Sequence, residues 1–172
     1  SKYLVRCLDS VVAQTFCELE CILVDDCGKD DSVAIAEKYI QEYNGPICFH
    51  LLHHDSNRGA AAARNTGIKA STGDFLFFLD SDDTLVNKCI ETLLSLFERY
   101  PDIDLAQGNA LDHKGHISPY GFPHDMPEYT SDREEIFRIQ LCETTTAPWN
   151  RLVRREFIQS GTGKKSGWLF AE

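Results

Sequence analysis

The chain has 172 residues, of which 42% are apolar, and a formal net charge of −10 from 17 basic and 27 acidic residues. This composition is too apolar and too aromatic for a disordered chain, and the acidic balance excludes a protein that coats nucleic-acid phosphates. No apolar run reaches the roughly 18–20 residues that a membrane span needs. The length suits one domain, which would bury roughly 70% of its unfolded surface.

Apolar periodicity predicts alternating helices and strands up to residue 107. In chain order they are a helix over 2–14, a strand over 19–24, a helix over 31–43, a strand over 47–53, a helix over 60–71, a strand over 75–79, a helix over 85–99 and a strand over 103–107. Alternation of this kind favours parallel pairing, and strands without polar alternation are typical of a sheet covered on both faces. We therefore predict an α/β fold with a mostly parallel sheet flanked by helices.

The pattern changes after residue 110. Residues 111–129 contain three His, three Pro and two Gly with little periodicity, which predicts a loop or hairpin. Helical patterns return at 132–141 and 151–159. We therefore divide the chain into a first part, 1–110, and a second part, 111–172.

Two acidic clusters directly follow predicted strands. Asp25 and Asp26 follow the first strand, and Asp80, Asp82 and Asp83 follow the third. Ligands of α/β sheets bind beyond the carboxyl ends of the strands, and Mg²⁺ or Mn²⁺ would remove the repulsion between crowded carboxylates. A helix cap is the alternative, but it explains one acid of the second cluster rather than three. We favour a metal or phosphate site there; for the first cluster, a ribose or base contact and a capped turn are equally open.

Three other patterns have ordinary structural explanations. Arg64 could offer a planar fork to a diphosphate, although a surface Arg on an Ala-rich helix is the more frequent case. His50, His53 and His54 are interpreted as the end of a strand rather than as a metal site. The seven cysteines include no CxxC pair, which favours small core residues in a reducing cytosol.

Four linked motifs follow one another over residues 3–85. They are Tyr3-Leu4 through Cys7-Leu8-Asp9-Ser10 with Gln14-Thr15-Phe16; Val24-Asp25-Asp26; Asn57-Arg58-Gly59 with Ala63-Arg64-Asn65; and Thr72-Gly73-Asp74 before Phe78-Leu79-Asp80-Ser81-Asp82-Asp83. In this order and spacing they resemble the family-2 glycosyltransferases of the GT-A fold. A weaker match, Pro148-Trp149-Asn150-Arg151-Leu152, resembles a segment of the polysaccharide-building members.

The resemblance implies a Rossmann-like GT-A fold and an inverting hexosyl transfer from a nucleotide-diphosphate sugar to a glycan or lipid-linked glycan acceptor, in bacterial polysaccharide biosynthesis. Residues 1–110 would be the nucleotide-sugar-binding part, and 111–172 the start of the acceptor-side part of the same domain. We expect a cytoplasmic protein without a transmembrane segment. Peripheral association with the inner face of the membrane and a homodimer are both left open.

The resemblance also implies roles for particular acids. The expected nucleotide-sugar contacts are Asp25, Asp26, Arg64, Asp80 and Asp82, of which the first two would hold the nucleoside and Arg64 would face the nucleotide or its diphosphate. Asp80 and Asp82 would form the DxD pair beside the ribose and the metal. Asp82 and Asp83 would bind Mn²⁺ or Mg²⁺, which would stabilise the charge that develops on the leaving diphosphate.

Both ends of the chain depart from the family pattern. Family members begin with an apolar strand, which lies inside the sheet beside the strand expected at 19–24, and this sequence opens after it. Omitting that strand would expose two strand edges and an apolar groove, so we expect a fragment, with a strand supplied by another copy as the alternative. Residues 167–172 resemble the approach to the family's Glu-Asp pair. Glu172 would be its first acid, and the Asp general base would follow it.

Two alternative functions compete with a transferase. The run Asp80-Ser81-Asp82-Asp83-Thr84-Leu85 also resembles the nucleophile motif of haloacid-dehalogenase-type phosphatases, in which Asp80 would attack a phosphate and Asp82 would act as acid and base. That motif normally opens the chain, and it needs a later acidic pair on a following strand. The acidic pair that follows Asp83 in this sequence, Glu134-Glu135, lies inside a predicted helix instead. A non-catalytic nucleotide-sugar-binding fragment is the stronger alternative.

Overall fold

The computed structural model describes residues 2–111, 114–116 and 150–159. The elements are α1 (Leu4–Val12), β1 (Glu20–Asp25), α2 (Ser32–Glu42), β2 (Cys48–His53), α3 (Ala60–Ala70), β3 (Phe75–Phe77), α4 (Cys89–Arg99), β4 (Leu105–Gln107), β5 (Arg151–Arg154) and α5 (Arg155–Gln159). Every element predicted up to residue 107 is present. The largest difference is at the start of α4, which begins at Cys89 rather than at residue 85.

The helix predicted over 151–159 is wrong in its first half. Residues Arg151–Arg154 form a strand, and only Arg155–Gln159 are helical. Leu152 and Val153 are each 3% exposed, because the segment lies between β3 and β4 and pairs with both. Tertiary pairing thus overrides a local pattern that a helix would also satisfy. The helix predicted over 132–141, and most of the predicted 111–129 loop, lie outside the described residues.

The strands form two sheets. In the first, β1 and β2 pair in parallel, with Asp25 opposite His53 at their carboxyl ends. In the second, β5 lies between β3 and β4 and is antiparallel to both. The predicted α/β fold with a parallel sheet and flanking helices is confirmed for the first sheet. The second sheet departs from the prediction, since its middle strand β5 comes from later in the chain and runs opposite to both of its neighbours.

Two apolar clusters hold the helices to these sheets. Leu4 and Leu8 of α1 and Ala36 of α2 are buried against partly buried residues of β1 and β2. Leu93 and Phe97 of α4 are buried against Ala106 and Leu152 of the second sheet. Helices α1 and α4 therefore each bury one apolar stripe and leave a polar face to solvent. No helix among the described residues is long and apolar enough to cross a membrane.

The cysteines are less buried than the sequence suggested. Of those in the described ranges, Cys7 is buried and Cys21 and Cys89 are half-buried, and all are free thiols. Burial raises the pKa of Cys7 to about 11, with a further increase from the charges of nearby aspartates. The interpretation as core residues was wrong for the remaining ones, since Cys17, Cys27 and Cys48 are exposed.

A cavity of about 700 Å³ separates the two sheets. Consecutive residues of both borders line it, 19–26 along β1 and 75–82 along β3, so each strand presents an edge rather than one face. Within the described residues, β1 pairs only with β2, and β3 pairs only with β5. The expectation of two strand edges beside an apolar groove agrees with this arrangement.

Candidate active site

Five of the six described site residues lie at the cavity between the sheets, and Asp83, the sixth, does not line it. Asp25 and Asp26 lie at the carboxyl end of β1, Asp80 and Asp82 follow β3, and Arg64 reaches the cavity from α3. Chain segments up to 57 residues apart thus meet at one edge of the fold, as the rule for strand ends predicts. Glu172, Trp149 and Trp168 lie outside the described residues.

Arg64 is an ion-pair partner rather than a surface residue. Its Nη2 donates to Asp80 Oδ1 at 3.0 Å, and its side chain is only 23% exposed. The pair joins α3 to the loop after β3. Because a guanidinium carries several N–H donors in a planar fork, the bond to Asp80 leaves donors for a second anion.

The acids after β3 form a tight turn. Asp83 N donates to the carbonyl of Asp80 at 3.0 Å. Burial, followed by the negative charges of Asp82 and Asp80, raises the pKa of the Asp83 carboxyl. The capping alternative does not hold for these acids, because α4 begins only at Cys89 and its N-cap position is Lys88.

The carboxylates of this turn are suitable cation ligands, but they are too few to form a metal site by themselves. Like charges that raise a carboxyl pKa are relieved by a bound cation. Within 2–111, 114–116 and 150–159, however, no three His, Cys, Asp or Glu side chains are grouped so as to hold a metal ion. A cation here would therefore need further oxygens, and Mg²⁺ sites commonly take these from substrate phosphates.

Helix α1 holds the acidic loop in place. Arg6 Nη2 donates to the carbonyl of Asp82 at 3.1 Å, and Ser10 Oγ accepts the N–H of Leu85 at 3.0 Å. Gln14, which is 4% exposed, donates to the carbonyl of Val86 at 2.9 Å and accepts the N–H of Ile90 at 3.1 Å. The sequence predicts no role for Ser10 and Gln14 beyond their place in the first motif; a Gln at the end of a predicted apolar helix is the available signal.

Asp26 is the most heavily bonded carboxylate of the site. Its Oδ1 contacts His54 Nδ1 at 2.6 Å and accepts the N–H of Arg58 at 2.8 Å, while its Oδ2 accepts the N–H of Gly59 at 2.7 Å. The hydrogen bond from His54, followed by those from the two backbone N–H groups, lowers the pKa of Asp26. Asp26 is therefore ionised and fixes the turn that starts α3.

The neighbouring Asp25 makes a local turn. Its Oδ1 accepts the N–H of Gly28 at 2.9 Å, and its Oδ2 lies 3.4 Å from His53 Nδ1. The carboxylates of this cluster thus order turns, as one of the two alternatives held. They also line the cavity, and the ribose or base contact stays a prediction.

Sequence reasoning missed His54. His50 and His53 lie in β2 as predicted, and His54 follows directly after the strand. Its side chain is 4% exposed and contacts both Asp26 and, through Nε2, Thr66 Oγ1 at 2.8 Å. No spacing rule would have selected it, because its two partners lie 28 residues before and 12 residues after it.

The Thr72-Gly73-Asp74 motif lies at the opposite end of β1. Glu20 Oε1 accepts the N–H of Thr72 at 2.6 Å and that of Gly73 at 2.7 Å. Burial raises the pKa of Glu20, but these hydrogen bonds outweigh it and lower the pKa overall. The motif thus ties the start of β1 to the turn between α3 and β3, and it is not part of the site.

Comparisons with known proteins agree on one family. Glycosyl transferase family 2 matches residues 1–161. Chondroitin synthase of Escherichia coli is 30% identical over 158 residues, which cover 87% of this chain and 22% of that protein. The chain spans less than half the length of the curated relatives that it matches.

Solved structures share the fold. The crystal structure of S. aureus TarS superposes with a TM-score of 0.75 and 23% identity, covering 94% of this chain and 27% of that one. The mannosyltransferase PcManGT from Pyrobaculum calidifontis, in complex with GDP-Man and Mn²⁺, superposes with a TM-score of 0.67 and 15% identity, covering 94% and 43%.

Proposed function

The chain belongs to glycosyl transferase family 2, and from that premise we propose that it binds the donor of an inverting hexosyl transfer from a nucleotide-diphosphate sugar to an acceptor hydroxyl. Residues 1–110 are the nucleotide-sugar-binding part, and 111–172 begin the acceptor-side part. The observation that carries the proposal is the convergence of Asp25, Asp26, Arg64, Asp80 and Asp82 on one cavity at the ends of β1 and β3.

Each part of such a donor has a chemically suitable partner among these groups. Asp26 and Asp25 supply carboxylate acceptors for the N–H and O–H groups of a nucleoside. The unused N–H donors of the Arg64 guanidinium face a diphosphate, whose oxygens suit a planar fork. Asp80, held by Arg64 at 3.0 Å, is fixed in place to accept a ribose hydroxyl. This chain's contribution is therefore to bind and orient the donor before the reaction.

We propose Asp82 and Asp83 as the residues that hold Mn²⁺ or Mg²⁺. The raised pKa of Asp83 supports this, since its cause is burial together with the charges of Asp82 and Asp80. PcManGT binds GDP-Man and Mn²⁺ on the same fold. When bound, such an ion neutralises charge that develops on a leaving diphosphate.

An inverting displacement also needs a base for the acceptor proton. We propose Glu172 as the first acid of a Glu-Asp pair whose Asp is that base. The acceptor is proposed to be a glycan or lipid-linked glycan, supported by the relative named chondroitin synthase. We also propose a cytoplasmic location at the inner face of the membrane, with a homodimer as the candidate oligomeric state.

The test is an assay of the full-length protein against a panel of UDP- and GDP-sugars, with Mn²⁺ or with EDTA. We expect hydrolysis or transfer from one donor, lost with EDTA and lost in Asp83→Asn. Asp102→Asn, which removes an exposed acid before β4, is the matched control and should retain turnover. Metal-independent turnover would contradict the metal assignment.

Two further measurements separate the alternatives. Donor binding without turnover by the full-length protein would favour a binding module over an enzyme. Steady phosphate release from p-nitrophenyl phosphate, blocked by Asp80→Asn, would favour the phosphatase.

A further inference from the structure

His54 joins three elements of the donor site through one buried ring. It follows β2, and its Nδ1 lies 2.6 Å from Asp26 Oδ1, at the end of β1. Its Nε2 lies 2.8 Å from Thr66 Oγ1, in the middle of α3. The ring is almost fully buried, with 4% of the side chain exposed.

The contact with Asp26 defines which ring nitrogen carries a proton. An ionised carboxylate only accepts hydrogen bonds, so the ring must donate from Nδ1 to Asp26. In the neutral ring, Nε2 then accepts the hydroxyl proton of Thr66. Asp26, His54 and Thr66 therefore form a continuous chain of hydrogen bonds from α3 through the ring to the carboxylate.

The chain of bonds leaves Asp26 with limited capacity for a ligand. A carboxylate has about four acceptor positions. His54 and the N–H of Arg58 occupy Oδ1, and the N–H of Gly59 occupies one position of Oδ2. Among the described residues nothing else bonds to Asp26, so one position on Oδ2 remains. Asp26 lines the cavity, and that position can receive one N–H or O–H group.

The same network determines where α3 begins. Gly59 precedes the helix with φ 85°, a conformation that glycine adopts without strain. The N–H of Gly59 and that of Arg58 point at Asp26, and Thr66 is held by His54 seven residues, or about two turns, further along α3. Arg64 lies between these two attachments and pairs with Asp80. A shift of these hydrogen-bonded residues would therefore move Asp26, at the nucleoside end of the proposed donor site, and Arg64, at its diphosphate end.

We propose that His54 is a positioning residue for the donor, which holds Asp26 with a single acceptor position for the nucleoside and, through Thr66, sets the placement of Arg64. This inference rests on the proposed function. His54 acts through Asp26 and Thr66 and does not itself contact the donor. The lowered pKa of Asp26 agrees with it, since the bond from His54 is its largest cause.

The test measures nucleotide affinity of the full-length protein by calorimetry, with UDP and GDP as separate probes in the presence of Mn²⁺. Thr66→Val removes only the hydroxyl and keeps the shape, and we expect it to raise Kd about fivefold for the nucleotide that wild type binds. His54→Phe should raise Kd about tenfold or more. Thr66→Ser restores the hydroxyl and should stay within about twofold of wild type.

A structural role alone would not give this pattern. Leu93→Val in the second core cluster lowers stability away from the network and should leave Kd unchanged at a temperature well below its unfolding midpoint. In ¹⁵N NMR, the wild-type ring should show a protonated Nδ1, the nitrogen that faces the Asp26 carboxylate. If His54→Phe fails to fold, the inference is tested by the comparison of Thr66→Val with Thr66→Ser and by the protonation of Nδ1 in the wild-type ring.

The outcomes separate this inference from the proposal beneath it. Wild-type affinity in folded Thr66→Val, or a ring without a proton on Nδ1, would overturn the positioning role while leaving the transferase proposal intact. A wild-type protein that binds neither UDP nor GDP would overturn the proposed function and, with it, any role of His54 towards a donor.

Discussion

Gln14 is expected to be the main tie between α1 and the loop that carries the acids. Its side chain is 4% exposed and bonds the carbonyl of Val86 at 2.9 Å and the N–H of Ile90 at 3.1 Å. Gln14→Met keeps the length of the side chain but leaves both backbone groups without their partner. A stranded buried group costs roughly 1–3 kcal/mol, so we expect a loss of roughly 2–4 kcal/mol in the free energy of unfolding.

The assay is thermal and urea unfolding of the full-length protein, with hydrogen exchange as a local readout. A loss of that size lowers the melting temperature by roughly 5–15 °C for a domain of this length. Amides at 85–90 should exchange faster even where global stability is ample. Gln41→Met, at an exposed position of α2, is the matched control and should change stability by less than about 0.5 kcal/mol. Equal stability and equal exchange in the two variants would contradict the role of Gln14 in holding this loop to α1.

Three further predictions concern charge and packing. Asp83→Asn should raise the melting temperature of the metal-free protein, because it removes a carboxylate whose pKa is raised by burial and like charges; an unchanged or lower value in thermal unfolding would contradict this. Asp26 has a lowered pKa, so its contribution is present above the pKa of an unfolded aspartate and lost as pH falls through its folded pKa; acid unfolding of Asp26→Asn should therefore begin from lower stability and change less with pH. Phe97→Ala should cost about 3–5 kcal/mol, since the ring is 5% exposed and packs 4.6 Å from the ring of Phe75; a loss below about 1 kcal/mol in urea unfolding would contradict that.

The order of elements up to β4 could be predicted because each one carries its own period. The apolar stripe of α1 and the unbroken apolar run of β1 identify themselves locally. The placement of β5 could not, since Leu152 and Val153 fit a helix equally well and only pairing with β3 and β4 decides. The strands that pair with β5 lie far from it in the sequence, so no local pattern reveals the pairing.

Some residues of the candidate site could likewise be predicted from the sequence, and others could not. Asp25, Asp26, Asp80 and Asp82 could be assigned to one edge of the fold, because the ends of strands meet there. Gln14 and His54 could not be recognised as parts of the site. Gln14 bonds a loop 72 residues away, and His54 depends on partners from two other elements. Spacing along the chain carries no sign of such contacts.

The most direct test of the donor site compares two variants of α3 in the full-length protein. Arg64→Ala removes the guanidinium that pairs with Asp80, and Lys69→Ala removes an exposed cation five residues further along the same helix. With the nucleotide sugar that supports turnover and Mn²⁺ present, we predict that Arg64→Ala loses at least about tenfold in kcat/KM. Lys69→Ala should match wild type, and equal activity in the two variants would contradict the assignment of Arg64 to the donor.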